Sequence, residues 1–431
     1  MPAEAQSAAT AASGAAALDS LVAHAMSTSP MVRAAGARVD AAQARIGPAG
    51  ARPDPMLMAG VQNFPASEPG FSDFMTMKTV GVSQTFPYPG KLALRTRAAR
   101  GEVDAAIARL EETRRQVARE VQDAYYDFLF ATRALGVVAR SQGLLARVAT
   151  VAEAHYAAGT GAQAEVLRVR VESARLAEEA TMLAEERRAA QARLNATLDR
   201  ASAAPVALEP EIPERVRRAA VGDTAAAVSF VSATPGARAA GSPLPPLDSL
   251  QALAVRRNLA LKAHEAMIDA QAARAELARK EQRPDVDVAL EYGQRSGFPD
   301  MITATVSVPV PLQRGRKQRE TAAEARSELA ALHAEHQAEV NRLNAEVARL
   351  HGALERDRTQ LVLYTRAILP QVRGALTSAS AGYEAGRVEF ASLIEQQASL
   401  YALDTQYLRI LIDFAKTLAE LEQLVGAEVV S

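Results

Sequence analysis

The stretch Met301-Ile302-Thr303-Ala304-Thr305-Val306-Ser307-Val308-Pro309-Val310 decides the fold of this chain. From Ile302 onward every second residue is apolar, and most residues between them are Thr or Ser. This period-two alternation predicts a β-strand with one apolar face and one polar face. Similar alternation near Met56–Asn63, Met75–Phe86 and Asp285–Tyr292 predicts three further strands. Their length of roughly 8–10 residues is typical of transmembrane β-strands, although half-buried strands of water-soluble proteins share the pattern.

Most of the remaining chain is predicted to be helical. The segment Lys91–Tyr156 has no proline and would form a helix about 100 Å long at 1.5 Å per residue. Small residues on several faces, such as Ala98-Ala99 and Ala330-Ala331, suit helices that have neighbours on both sides. A curved wall of helices and a helical hairpin in a scaffold both meet that condition. The predicted helices are Leu18–Ile46, Lys91–Tyr156, Gln163–Leu198, Asp248–Glu281, Arg316–Leu369 with a kink at Pro370, and a last helix that ends near Val425.

The chain is an internal duplication with a long period. Leu18-Asp19-Ser20-Leu21 recurs 229 residues later, and Tyr156-Ala157-Ala158-Gly159 returns as Tyr383-Glu384-Ala385-Gly386. Pro53-Asp54 precedes one strand pair and Pro284-Asp285 precedes the other. We therefore expect a disordered N-terminal segment, a first structural repeat, a connector or equatorial segment, a second repeat and a short tail. Their expected bounds are 1–17, 18–200, 201–246, 247–426 and 427–431.

Composition excludes several classes of protein. The formal net charge of −1 provides no field that would attract nucleic acid. Because the chain has no cysteine, it has no disulfide, no thiolate metal site, no cysteine nucleophile and no lipidated N-terminal cysteine as given. No stretch approaches the roughly 20 apolar residues of a membrane helix, and no basic-then-apolar signal peptide opens the chain.

No enzyme site is visible in the sequence, and we expect no catalytic residue, no cofactor and no bound metal. There is no Gly-rich phosphate loop, no Ser-His-Asp pattern and no His-Glu-x-x-His motif. His333 and His336 have a spacing that can bind a metal, with Glu335 and Glu339 nearby. A solvated helix face explains these four residues better.

The four strands cannot stand alone in a membrane. The smallest membrane barrels have about 8 strands, and open sheet edges are not tolerated in lipid. Three chains with four strands each would supply a barrel of twelve. With three chains, the predicted fold is mainly α with a small antiparallel β part: a long-helix α-barrel joined to a 12-stranded transmembrane β-barrel shared by a trimer.

At this point the chain resembles outer-membrane efflux factors of the TolC family. The resemblance covers nearly the whole chain and rests on the duplicated order of elements, on the Pro-Asp pairs before the strands, and on the segments after them. Those segments are Val82-Ser83-Gln84-Thr85-Phe86-Pro87-Tyr88-Pro89-Gly90-Lys91 and the stretch from Val306 to Gly315. The first of them is most similar to the branch of the family that works with heavy-metal RND pumps.

The resemblance implies a passive homotrimeric conduit in the outer membrane of a diderm bacterium. Its helices would extend into the periplasm and dock a membrane-fusion adaptor bound to an inner-membrane RND-type pump. Heavy-metal cations would be the cargo. Drug efflux and type I secretion are alternatives within the family, and a soluble helical scaffold is the alternative outside it. Many relatives carry a lipidated N-terminal cysteine; since this chain has none, its contact with outer-membrane lipid would rest on the barrel.

The two helical turns are the candidate adaptor-docking tips. Gly159 and Gly386 each follow a helix where the chain reverses, which favours a positive φ. By the resemblance, these turns form the periplasmic mouth and touch the adaptor through Ala158, Gly159, Thr160, Ala385, Gly386 and Arg387. A turn-forming role alone would also explain both glycines.

The second tip also carries candidate gate residues. By the resemblance, Glu389 and Glu395 fall near acidic gate positions, and Ser392 stands at one such position. Three carboxylates around a narrow mouth would select cations. Arg387 completes the candidate set, and ordinary surface acids are the alternative explanation.

Four methionines are candidate lumen residues. Aligning Pro53-Asp54 with Pro284-Asp285 places Leu57, Ala59 and Val61 on the lipid face, so that the neighbouring Met56 and Met58 face the lumen. The same orientation is expected for Met75 and Met77. Thioethers suit soft cations such as Cu(I) or Ag(I). Methionine as a simple filler of the strand face is the alternative.

Overall fold

The computed structural model describes residues 18–65, 71, 73–206, 210–222, 244–310, 312–313 and 315–430. Over these residues the chain is mainly α-helical, with a four-stranded antiparallel sheet. The helices are α1 (18–28), α2 (Pro30–Gly50), α3 (Lys91–Ala157), α4 (Gln163–Thr197), α5 (Glu214–Val221), α6 (Leu247–Arg257), α7 (Leu259–Lys280), α8 (Gln318–Leu363), α9 (Leu369–Glu384) and α10 (Phe390–Val425). The strands are β1 (Met56–Gln62), β2 (Met77–Phe86), β3 (Val286–Arg295) and β4 (Met301–Ser307). The predicted fold class, mainly helical with a small antiparallel sheet, is confirmed.

The chain divides into two compact units. Among the described residues, the helical unit takes in those up to Ala34, those within Glu111–Asn258 and those from Asn341 onward, and the sheet unit takes in those within Ala35–Leu110 and Leu259–Val340. Each half of the sequence contributes to both units, with the same order of elements. The expected disordered segment 1–17 and most of the connector, residues 207–209 and 223–243, lie outside the described residues.

The first helix of each repeat is interrupted, which the sequence analysis did not predict. In the first repeat Ser29 separates α1 from α2, and Pro30 begins α2. A proline at the start of a helix loses no internal hydrogen bond, whereas inside a helix it would break one. In the second repeat Asn258, which lies 229 positions after Ser29, separates α6 from α7 with an extended ψ of 128°. Its side-chain amide donates to the Leu424 carbonyl at 3.3 Å.

The irregularity expected at Pro370 takes the form of a π-helical turn. Residues Tyr364–Ile368 adopt π-helix between α8 and α9, and Pro370 lies in the first turn of α9. Proline cannot donate the backbone hydrogen bond that a continuous α-helix needs at that position. A wider turn just before it accommodates the missing donor.

The sheet has the order β1-β2-β3-β4, and all neighbouring strands are antiparallel. The outer strands β1 and β4 are the sheet edges. The structure starts β2 at Met77 rather than at Met75, and ends β4 at Ser307 rather than at Val310. Pro309 has no N–H for a strand ladder, which agrees with the early end of β4.

The register divides the sheet residues between a mainly apolar face and a mainly polar face, as the sequence alternation predicted. The apolar face carries Leu57, Ala59, Val61, Val80, Val82, Val286, Val288, Leu290, Tyr292, Ile302, Ala304 and Val306, with Lys78, Gln84 and Gln294 toward the strand ends. The polar face carries Thr79, Ser83, Asp287, Glu291, Thr303, Thr305 and Ser307. The apolar face is open to solvent in the single chain: Leu57, Ile302 and Val306 are 81%, 75% and 68% exposed.

An ion pair fixes the start of α3 against the start of β3 within the sheet unit. The Lys91 ammonium donates to the Asp285 carboxylate at 2.7 Å and to the Arg283 carbonyl at 2.9 Å. The Tyr88 N–H donates to the same carboxylate oxygen at 2.8 Å. Lys91 is almost fully buried, since its side chain is only 5% exposed. The segment after the first hairpin is thus tied to the segment before the second.

The connector packs against α3 and α10 in the helical unit. The buried hydroxyl of Tyr125 donates to the Glu211 carbonyl and accepts from the Glu211 N–H, both at 2.8 Å. Helix α5, which the composition of the connector did not predict, begins three residues later. Its Arg215 forms two hydrogen bonds to Glu422 of α10, at 2.7 and 3.1 Å. Its apolar side buries Val216, Ala219, Ala220 and Val221.

Candidate functional site

The two predicted tips have the same backbone geometry. After α3, the Thr160 N–H donates to the His155 carbonyl at 2.9 Å and the Gly159 N–H donates to the Tyr156 carbonyl at 3.0 Å. After α9, Arg387 and Gly386 repeat these bonds to Gly382 and Tyr383 at 2.8 and 2.9 Å. This is the Schellman pattern, in which the residue after the helix end has a positive φ. Gly159 and Gly386 have φ values of +71° and +65°, which explains why glycine stands at both turns.

All six residues predicted to dock an adaptor are exposed: Ala158, Gly159, Thr160, Ala385, Gly386 and Arg387. The turns therefore offer two accessible surfaces with the same backbone hydrogen-bond pattern. They differ in charge, because Arg387 and Glu389 occupy the positions of Thr160 and Ala162.

Side chains at the two tips meet inside the helical unit. The Tyr383 hydroxyl, from the second repeat, donates to the Glu165 carboxylate of the first repeat at 3.1 Å. The Tyr383 ring also lies 5.5 Å from the His155 ring and 5.7 Å from the Phe390 ring, measured between centroids. Tyr383 is buried, whereas its repeat counterpart Tyr156 is half exposed. The contact therefore joins the tips asymmetrically.

The environment of Tyr383 stabilises its neutral phenol. Burial, together with the hydrogen bond and the charge of Glu165, raises the pKa of Tyr383 to about 12. A raised pKa means that this contribution to stability is fully present below the ordinary tyrosine pKa of about 10. It is lost as the pH rises through about 12. The contact is therefore intact at neutral pH.

The Tyr383→Phe variant tests this environment. We expect the difference between the alkaline titrations of wild type and variant, followed by phenolate absorbance, to show one group that ionises near pH 12. The control variant is Tyr156→Phe, which removes the half-exposed phenol at the equivalent position of the first tip and should leave the Tyr383 signal unchanged. A difference between wild type and Tyr383→Phe that shows no group ionising near pH 12 would contradict the packing described for the tip.

The candidate gate residues lie on the exposed side of the start of α10. Glu389 is the residue before α10, and Ser392 and Glu395 follow in its first two turns. All three are exposed, as is Arg387. The opposite side of the same turns buries Phe390, Leu393, Ile394 and Gln397. The gate candidates thus form one polar strip that takes no part in the core.

The sheet does not bring the four candidate methionines into one group. Met56 and Met58 lie two residues apart on the polar face, and Met77 lies on the same face opposite Gln62. Since strands rise about 3.3 Å per residue, Met58 and Met77 are separated by roughly 13 Å along the sheet. Met75 is in the turn before β2, because the chain enters the strand only at Met77, so the strand position expected for it is wrong.

Met301 is a further methionine on the polar face of the sheet, and it was not among the predicted lumen residues. Met301 pairs with Gly293 in the register of β3 and β4, and the Met77 side chain covers the other side of that glycine. A Cβ on Gly293 would lie 2.6 Å from the Met77 sulfur. Gly293 is therefore covered by the Met77 thioether and has Met301 as its register partner on β4. The alternation of β4 already placed Met301 on the face of Thr303 and Thr305, which is the signal that could have found it.

A charged cluster in the helical unit was also missed. Asp127 of α3 pairs with Arg193 of α4 at 3.0 Å and with Lys416 of α10. Two turns earlier on α3, Arg119 contacts Asp123 at 3.5 Å and Glu420 at 3.3 Å. Burial raises the pKa of Asp123 despite these cations. Helical spacing reveals the i,i+4 pair of Arg119 and Asp123, but the other partners are far apart in sequence and could not be found in that way.

The described part of the chain offers neither a metal-binding cluster nor a membrane-spanning helix. No group of three or more His, Cys, Asp or Glu side chains is placed to hold a metal ion, and this includes the region of His333 and His336. Among the described helices, none combines the length and the apolarity needed to cross a membrane.

Several solved structures are similar to this fold. The outer-membrane channel OprN superposes with a TM-score of 0.77 at 17% sequence identity, over 95% of this chain and 90% of OprN. The outer membrane protein VceC from Vibrio cholerae gives 0.76 at 17% identity, over 96% and 97% of the two chains. CusC, whose structures concern transmembrane channel formation, gives 0.76 at 14% identity, over 95% and 92%. At these identities the likeness establishes the fold.

The sequence comparison establishes the family. No curated protein sequence matches the chain. The family described as Outer membrane efflux protein matches residues 21–200 and 250–427, which is most of the chain. The two matched ranges follow the two repeats. The chain therefore belongs to the outer membrane efflux protein family.

Proposed function

We propose that three copies of this chain form the passive outer-membrane conduit of a tripartite efflux system in a diderm bacterium. The observation that carries the proposal is the exposed apolar face of a four-stranded sheet whose edge strands are unpaired. Such a face is costly in water and is favoured in lipid. Open edges are not tolerated in lipid, so the strands of several copies must join. Three copies supply twelve strands, enough for a closed barrel.

In this arrangement the polar face of the sheet lines an aqueous lumen. Thr79, Ser83, Glu291, Thr303 and Thr305 all lie on that face. The long helices would continue the passage into the periplasm as an α-barrel. The chain acts as a conduit and not as an enzyme, so the energy for transport would come from an inner-membrane RND-type pump.

The two tips are the proposed docking surfaces for a periplasmic membrane-fusion adaptor. Support comes from their exposure and from their identical Schellman geometry, which presents two similar surfaces per chain. Three chains would present six such surfaces around a ring. The second tip, with Arg387 and Glu389, would be the charged one and would also border the gate.

Fractionation and conductance test the function directly. We expect the protein to partition with the outer membrane and the purified trimer to give stepwise ion currents in planar lipid bilayers. A soluble helical scaffold would stay in the soluble fraction and give no current. That result would exclude the conduit, since no other described part of the chain offers a surface for lipid.

The strip formed by Glu389 and Glu395 is proposed to act as a cation-selective gate. Replacing both residues with Gln is expected to reduce the cation selectivity of the trimer and its block by divalent cations, because the ring loses about six negative charges. The measurement is the reversal potential in a salt gradient. The matched control is Glu178→Gln/Glu186→Gln, which removes the same charge from exposed positions on α4. Equal selectivity of both variants would contradict the gate role.

Heavy-metal cations are the proposed cargo, with drugs and secreted proteins as the alternatives. Support comes from the similarity of Phe86-Pro87-Tyr88-Pro89-Gly90-Lys91 to the heavy-metal branch, and from Met77 and Met301 on the two sides of Gly293. Met301, which is 42% exposed, would offer soft cations such as Ag(I) a thioether on the lumen face, and Met77, which is 7% exposed and packs on Gly293, would be a second donor only where a cation reaches below the surface.

The methionine proposal predicts a loss of metal tolerance. In a strain whose silver resistance depends on this chain, Met77→Leu/Met301→Leu is expected to lower the tolerated silver concentration about twofold or more, because leucine offers no soft donor. Met31→Leu/Met182→Leu, which removes two exposed methionines from α2 and α4, should leave tolerance unchanged. Unchanged tolerance in the first variant would remove the methionines from the proposal.

A further inference from the structure

The ion pair between Lys91 and Asp285 is one half of a repeated device. Asp285 accepts hydrogen bonds from the Tyr88 N–H and the Lys91 ammonium, which join the segment after β2 to the segment before β3. We call this arrangement the clasp. It forms where two hairpins of the same sheet lie side by side, because β2 and β3 are hydrogen-bonded neighbours.

The duplication supplies the parts of a second clasp. Pro53-Asp54 is the counterpart of Pro284-Asp285. Gly315-Arg316 is the Gly–basic pair that corresponds to Gly90-Lys91; it lies 225 positions later, so the second segment is one residue longer than the shift of 224 between β2 and β4. Asp54 and Arg316 are both exposed, and neither makes an ion pair with a described residue. Asp54 precedes β1 and Arg316 follows β4, so the two halves of the second clasp are at opposite edges of the sheet.

The two hairpins are related by fixed shifts in numbering. Pro53, which precedes β1, and Pro284, which precedes β3, are 231 positions apart. Val82-Ser83 of β2 and Val306-Ser307 of β4 are 224 positions apart. The registers observed in the structure agree with both shifts. Leu57 pairs with Val82, and their counterparts Val288 and Val306 pair with each other. The repeat therefore predicts strand pairing to the residue.

The same shifts predict which residues of β4 and β1 would face each other. Adding 224 to a residue of β2 gives its counterpart in β4, and subtracting 231 from its partner in β3 gives the counterpart in β1. Val82 pairs with Leu290, which maps to Val306 against Ala59. Gly81 pairs with Glu291, which maps to Thr305 against Gly60. In each mapped pair both residues belong to the same face, so the apolar and polar faces continue across the joint.

We propose that β4 of one copy pairs antiparallel with β1 of a second copy of this chain in the register Val306 to Ala59, closed by a clasp between Arg316 and Asp54 of the neighbouring copy. The inference rests on the proposed trimeric conduit and adds the residues that join it. A second copy is the occupant because four strands are too few to close on themselves, so β1 and β4 of one chain cannot meet.

Cysteine cross-linking tests the register, and the absence of cysteine from the chain gives a clean background. Directly opposed residues of antiparallel strands have Cα atoms about 4.5–5.5 Å apart, within the range for a disulfide, whereas diagonal neighbours lie about 7–8 Å apart. The test variant is Ala59→Cys/Val306→Cys. The matched control is Val61→Cys/Val306→Cys, which moves one cysteine by two residues on the same face.

After oxidation in native membranes, we expect the test variant to give covalent dimers and trimers on non-reducing gels in at least fivefold higher yield than the control. Light scattering of the detergent-solubilised protein gives the number of copies independently. A trimer in which the control cross-links as well as or better than the test variant would overturn the register and leave the conduit standing. A monomer would overturn both.

Charge reversal tests the clasp. Asp54→Arg alone and Arg316→Asp alone are each expected to lower the fraction of trimer severalfold, because each places two like charges at the joint. The double variant Asp54→Arg/Arg316→Asp restores the opposite charges and should restore the trimer. If the double variant loses as much trimer as the two single variants together, the proposed pairing of Asp54 with Arg316 is wrong.

Discussion

Replacing Val306 with lysine is expected to abolish assembly of the protein in the outer membrane. Val306 lies on the apolar face of the edge strand β4 and is 68% exposed in the single chain. A lysine on the lipid face of a membrane barrel costs up to about 2–4 kcal/mol, the value at the bilayer midplane, and less toward the interfaces. Three copies would then cost up to about 6–12 kcal/mol per barrel, which is comparable with the whole stability of a typical folded protein.

The adjacent residue provides the control. Thr305 belongs to the same strand, is also exposed, and lies on the polar face. Thr305→Lys adds the same charge and the same bulk on the lumen side, so the variant should still insert and form trimers. The measurement is the amount of heat-modifiable trimer in purified outer membranes. Equal amounts for the two variants, whether both high or both low, would contradict the assignment of the faces.

Replacing Asp285 with asparagine is expected to produce the second largest loss, about 3 kcal/mol in the free energy of unfolding. The variant leaves the buried Lys91 ammonium with the Arg283 carbonyl as its remaining partner at this site. An unpaired buried charge costs much more than a buried pair. The measurement is the thermal unfolding of the detergent-solubilised protein by circular dichroism.

The double variant Asp285→Asn/Lys91→Met separates the charge effect from a change in packing. Methionine removes the ammonium and keeps most of the volume, so the double variant should regain much of the lost stability. A double variant that is less stable than Asp285→Asn would show that the lysine was not destabilised by the loss of its partner.

The pair also has a predicted response to pH. Burial raises the pKa of Asp285, but the hydrogen bonds from Lys91 and from the Tyr88 N–H lower it by more, and the net pKa lies below its ordinary value. A lowered carboxyl pKa gives stability that is present above the ordinary value of about 4 and lost as the pH falls through the lower folded value. Neutral and mildly acidic conditions should therefore leave the clasp intact.

The strands and tips could be predicted from the sequence because both depend on local patterns. The alternation in β4 fixed which residues share a face, and Gly159 and Gly386 marked the turns through their positive φ. The breaks in the first helix of each repeat were not predicted, although one of them has a signal in the sequence. Pro30 marks the break after α1, whereas Leu259 stands at the equivalent position and the break at Asn258 carries no such mark; the Asn258 side chain instead bonds to the distant Leu424 carbonyl.

The contacts between distant segments could not be predicted from local patterns. Glu165 and Tyr383 are 218 residues apart, and Lys91 and Asp285 are 194 apart. Helical and strand periods give the side of an element on which a residue lies, but not the partner that covers it. The relative positions of Met77 and Met301 depend likewise on how β2 pairs with β3 and how β3 pairs with β4. The alternation within each strand does not give that register.

Electron microscopy of the purified protein in lipid nanodiscs tests the central claim most directly. The account predicts a threefold assembly in which twelve strands form one closed barrel inside the lipid, with Leu57, Ile302 and Val306 facing the acyl chains. A single copy in the lipid, a barrel with another number of strands, or a sheet that lies outside the lipid would contradict it.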